Sequence, residues 1–111
     1  MAVIETPEFI SQADELMTER DREELISYLA CNPTAGDVVP GAGGIRKLRW
    51  RLEGRGKRGG ARVIFFFHSA DVPLFVLTVF AKSQRTDLSQ QQRNEFRRLT
   101  KVLVEQYRRQ P

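Results

Sequence analysis

Eight Lys or Arg residues stand between Ile45 and Phe65 (Arg46, Lys47, Arg49, Arg51, Arg55, Lys57, Arg58 and Arg62) against one acid, Glu53. Cations packed this densely on short extended segments can do two kinds of chemistry. They can hold a polyanion, nucleic acid by default. They can also promote cleavage of RNA by its own 2′-hydroxyl, a reaction that needs in-line positioning and stabilisation of charge on the phosphorane. Arg supplies a permanent planar fork for that charge. A Lys crowded by other cations has its charged form disfavoured, which suits it to act as acid or base; Lys57 and Lys47 are the candidates. Arg62 follows the Gly59-Gly60 turn, where its fork can meet a phosphate.

Other chemistries find little support. The basic half offers no paired carboxylates and no nucleophile with a base beside it. Glu53, Asp71 and Asp87 read as isolated loop acids, and no Cys/His spacing suits zinc, so no metal or other cofactor is expected. His68 reads as a partly buried residue at a strand end, or more sharply as a proton donor at the rim of the basic face. The single cysteine, Cys31, excludes an internal disulfide and reads as a buried structural thiol in a helix. The loop around Gly41 to Gly44 has no Lys-Ser/Thr ending and no helix after it, so it is not a phosphate-cradling loop.

Which elements must carry these cations follows from periodicity. Ala2 to Glu5 reads as a short strand. Thr6 caps a first helix with Pro7 at its first position, and Phe9, Ile10, Ala13, Leu16 and Met17 recur at helical spacing. Thr18 with Asp21 caps a second helix that Asn32-Pro33 stops, and 33–44 is turn-rich. From Ile45 the period becomes two, with Lys47, Arg49 and Arg51 on one face and Leu48, Trp50 and Leu52 on the other. A glycine-rich connection over 53–60 leads to a strand from Ala61 to His68, whose Phe65-Phe66-Phe67 run marks a central position. Pro73 to Ala81 reads as another buried strand. A last helix runs from near Ser89 to about Arg108, with Phe96, Leu99, Val102 or Leu103, and Tyr107 inward. The fold class is α+β, a small, mostly antiparallel twisted sheet in the order β-α-α-β-β-β-α, with one domain over residues 1–111.

The charge is strongly divided. Residues 1–44 hold two basic and nine acidic residues, a net −7; residues 45–111 hold sixteen basic and five acidic, a net +11. The acidic end should stay off whatever polyanion the basic end binds. A hydrophobic content of 41% with seven Phe indicates a folded chain. No stretch is long enough to span a bilayer and the N-terminus lacks the order of a signal peptide, so a cytoplasmic protein is expected.

Three segments carry a family resemblance: Gly43-Gly44-Ile45-Arg46-Lys47-Leu48-Arg49-Trp50, then Gly56-Lys57-Arg58-Gly59-Gly60-Ala61-Arg62-Val63-Ile64, then Phe80-Ala81-Lys82. Together they resemble the RelE/ParE superfamily of bacterial type II toxins, and most closely its HigB-like branch. The resemblance implies a sheet packed by an N-terminal helix pair and a C-terminal helix. It implies a toxin of a toxin–antitoxin pair, a metal-independent endoribonuclease (mRNA interferase) that cuts messenger RNA on the ribosome and inhibits translation. By position it places Lys47 and Arg49 on the basic strand lining an RNA cleft, Arg62 as the transition-state arginine and Lys82 as the residue closing the cleft. Lys57 and Arg58 belong to the branch's hairpin. Arg46, Arg51, Arg55, Arg58, Arg85 and Phe67 are expected to contact RNA or ribosome. Phe65-Phe66-Phe67 and Phe80 stand where the branch often has Tyr.

The partners so implied are a cognate antitoxin of helix-turn-helix type, the ribosome with its messenger, and operator DNA reached only through the antitoxin complex, with no membrane. Two other readings use the same fold. One is a ParE-like gyrase inhibitor, which the full set of cleft cations argues against. The other is a non-catalytic RNA-binding or regulatory module.

Overall fold

The computed structural model describes residues 1–52, 60–84 and 87–108. Its elements run β1 (Val3–Glu5), α1 (Pro7–Leu16), α2 (Glu19–Cys31), β2 (Asp37–Val38), β3 (Ile45–Trp50), β4 (Ala61–Phe66), β5 (Leu74–Ala81) and α3 (Gln90–Arg108). The strands form one mixed sheet in the order β1-β5-β4-β3-β2. Only β1 is parallel to its neighbour, β5; the other pairings are antiparallel. The architecture is α+β, as the sequence indicates, with the short edge strand β2 added inside the expected turn-rich segment.

The helix starts follow from their caps. Thr6 accepts from the Phe9 amide, and its Oγ1 also lies 2.9 Å from the Val76 carbonyl and 3.0 Å from that of Leu77, so one side chain both caps α1 and ties it to β5. Thr18 and Asp21 form a reciprocal capping box, each side chain bonded to the other's backbone amide. Ser89 and Gln92 repeat that arrangement ahead of α3.

Every residue of β4 and β5 is buried, because helices cover the sheet on both sides. On one side Phe9, Ala13, Leu16, Leu25 and Leu29 pack on Val63, Phe65, Val76 and Val79. On the other, Phe96 joins Ile45, Ile64, Phe66, Leu77 and Phe80, with Leu103, Val104 and Tyr107 against them. A register shift at Ile64/Phe65 bends the central pair.

Four local expectations need correction. The strand expected to reach His68 ends at Phe66, and His68 is exposed beyond it. Cys31 is exposed, not buried; α2 buries Asp21, Leu25 and Leu29, and Cys31 lies two residues, about 200°, round from Leu29. Leu99 and Val102 are 39% and 50% exposed, so they are not part of the inner stripe. Thr100 takes that place: it is buried, and its hydroxyl donates to the Arg97 carbonyl, so a polar residue can face inward. Asp87 is not an isolated acid, as set out below.

Candidate functional site

Strand register decides which cations converge. Arg49 on β3 is directly opposite Arg62 on β4, which is opposite Phe80 on β5. Lys47 lies two residues along from Arg49 and so shares its face. Just past β5, the Lys82 amide donates to the Gly60 carbonyl at 3.1 Å, which draws the chain after β5 toward the start of β4. These four side chains, with Gly36, Asp37 and Leu48, line a cleft of about 500 Å³. Four cations thus face one another with Asp37 as the lining acid.

An opposed arginine pair needs compensating partners. Like charges directly opposite on adjacent strands oppose pairing, and Arg62 is only 6% exposed. A buried guanidinium requires polar company; one N–H of Arg62 donates to the Ala61 carbonyl at 3.2 Å. Two guanidinium forks on one face of the sheet are also groups that can bind a phosphate.

Asp87, read from the sequence as an isolated loop acid, lies beside Lys47 of the cleft. Its carboxylate accepts from the Lys47 ammonium at 3.3 Å and the Leu88 amide at 2.8 Å through Oδ1, and from the Arg93 guanidinium at 3.1 Å through Oδ2. Burial pushes this carboxyl up, but the Leu88 amide, the Lys47 hydrogen bond and the Lys47 and Arg93 charges outweigh it and hold the group below its ordinary value. Lys47 therefore has a carboxylate beside it, where the sequence suggested only crowding by cations. The available signal was an Asp just before a helix start; its partners, 40 residues back and six ahead, carry no spacing signature.

The other expected residues are placed as follows. Arg46 points away from the cleft and donates to the carbonyls of Thr34, Ala35 and Gly36, fastening the chain before β2. Arg51 is exposed just beyond β3. Phe67 is partly buried against the core on the helix-pair side. His68 lies beside the Phe66 ring, 6.2 Å between centroids, in a groove with Thr100, Lys101 and Arg108 rather than in the cleft. Arg55, Lys57, Arg58 and Arg85 fall outside the described residues. Among the described residues no group of three or more His, Cys, Asp or Glu is placed to hold a metal ion, and no helix is long and apolar enough to cross a membrane.

A small mixed sheet between a helix pair and a single helix, with a cation-lined cleft on β3 and β4, is an α+β architecture consistent with a RelE-like fold. The family described as the RelE toxin of the RelE/RelB toxin–antitoxin system matches residues 35–110, which hold all of β2 to β5, α3 and the cleft. The chain belongs to this family of toxin–antitoxin toxins, and membership implies a cognate antitoxin.

Proposed function

We propose that this toxin is a metal-independent endoribonuclease of the HigB-like branch that cuts messenger RNA on the ribosome and so inhibits translation. The observation that carries the reading is the convergence of Lys47, Arg49, Arg62 and Lys82 in one cleft, with Arg49 directly opposite Arg62. Arg62 and Arg49 offset charge on the phosphorane as the 2′-hydroxyl attacks. Lys47 and Lys82 hold the backbone in line from either side, and Lys57 completes the set. Arg51, Arg55, Arg58 and Arg85 extend the contact to ribosomal and messenger RNA. The acidic helix pair faces away and keeps the protein in one orientation on the polyanion. The cognate antitoxin, of helix-turn-helix type, silences the toxin by covering the cleft or the helices, and the pair binds its own operator DNA through the antitoxin.

Incubation of purified protein with a messenger, with and without bacterial ribosomes, tests this directly. Cuts that require ribosomes are the expected result. Absence of cuts from protein that still arrests growth would overturn the reading, and inhibition of gyrase supercoiling in the same preparation would replace it.

A further inference from the structure

We propose that Asp87 is a positioning residue for cleavage: it fixes the Lys47 ammonium at the cleft and ties it to α3 through Arg93. This rests on the endoribonuclease reading above. The geometry is a three-point clamp. One carboxylate oxygen takes both the Lys47 ammonium and the Leu88 amide, the other takes Arg93, and these donors come from β3, the chain ahead of α3, and α3 itself. A Lys side chain has four rotatable carbons and no fixed direction of its own. In the cleft it shares the lining with Arg49, Arg62 and Lys82, which repel it, and with Asp37, its cross-strand neighbour on β2, but the carboxylate that its ammonium hydrogen-bonds is that of Asp87. Asp87 thus anchors the ammonium, leaving its other hydrogens for a phosphate oxygen.

The backbone bond from Leu88 and the Arg93 contact hold the carboxylate itself, so it does not follow Lys47 away. The Nε of Arg93 is buried and has no hydrogen-bond partner among the described residues; the side chain is therefore held here by its contact with Asp87 and by packing rather than by a full set of polar partners.

Placement and charge pull in opposite directions, and that yields a signature. Removing the Asp87 charge makes the cleft more positive, so RNA should bind as tightly or more tightly. Turnover should nevertheless fall, because a misplaced group costs up to about 100-fold even when it is still present. Disruption of α3 alone would weaken both.

The test is Asp87→Asn, which keeps an oxygen for the Leu88 amide, with Asp87→Ser as a second capping variant should the first not fold. Single-turnover cleavage of ribosome-bound messenger and affinity for a short single-stranded RNA are measured on each, with Asp87→Glu as the conservative variant and Lys47→Met as background. The expected result is a loss of tenfold or more in the cleavage rate with RNA affinity unchanged or higher. Asp87→Glu should recover part of that loss, and Asp87→Asn should cost little further in the Lys47→Met background. Cleavage by Asp87→Asn within about twofold of wild type overturns the assignment, as does an equal loss with and without Lys47. Failure of the wild type to cut at all overturns the endoribonuclease reading, and the assignment with it.

Discussion

Arg49 and Arg62 face each other across β3 and β4, and in the proposed reading their forks offset charge at the scissile phosphate. Arg62→Lys keeps the charge and loses the planar fork; cleavage should fall by about tenfold or more while the melting temperature stays near that of wild type. At Asp87 the prediction concerns pH. Its folded-state pKa is lowered, so its contribution to stability is fully present above the ordinary carboxylate value, about 3.9, and is lost as pH falls through the lower folded value. Thermal melts of wild type and Asp87→Asn should therefore differ by a constant amount from pH 5 to 8 and converge only below about 4. Strand alternation placed Lys47 and Arg49 together on one face in the sequence. It could not show that Arg46 is spent on three backbone carbonyls, or that Lys47 meets Asp87, because both contacts join segments far apart in the chain.

At the scale of elements, local chemistry was legible wherever a side chain acts on its own neighbours. Thr6-Pro7, Thr18-Asp21 and Ser89 mark the three described helix starts. Thr18→Ala removes one half of a capping box and should lower unfolding free energy by about 1 kcal/mol in urea titration. The two-residue strand β2 was not legible: both its residues are exposed, and its pairing comes from β3, so it has no hydropathy pattern. The inner face of α3 was half legible, since Thr100 breaks the apolar stripe at the point where the helix meets the loop before β3. That meeting depends on Gly43, at φ +78°, where a Cβ would lie 2.4 Å from Thr100 Oγ1 and 3.0 Å from the Arg97 Cα. Gly41 has a similar φ of +68° but open space around it. Gly41→Ala should cost about 1–2 kcal/mol of backbone strain alone. Gly43→Ala should cost about 1–3 kcal/mol more through the clash, read as the difference between the two urea midpoints.

For the whole molecule, the divided charge is the governing feature, and it was plain in the sequence before any element was drawn: −7 over residues 1–44 and +11 over 45–111. The fold turns that division along the chain into one in space, because the acidic helix pair packs on one side of the sheet and the cleft cations line the opposite side of β3 and β4. Ribosome or RNA binding should weaken as salt rises, and each of Lys47, Arg49 or Lys82 replaced by Ala should reduce the salt slope by about one. Glu23→Gln and Glu24→Gln, on α2, should leave that slope unchanged. The most direct measurement compares wild type with Arg62→Ala, matched for folding by circular dichroism, in cleavage of messenger on purified ribosomes. Wild type should cut only when ribosomes are present, and Arg62→Ala should be slower by about 100-fold to 1,000-fold. Equal cutting by the two proteins would contradict the placement of Arg62 at the reacting phosphate.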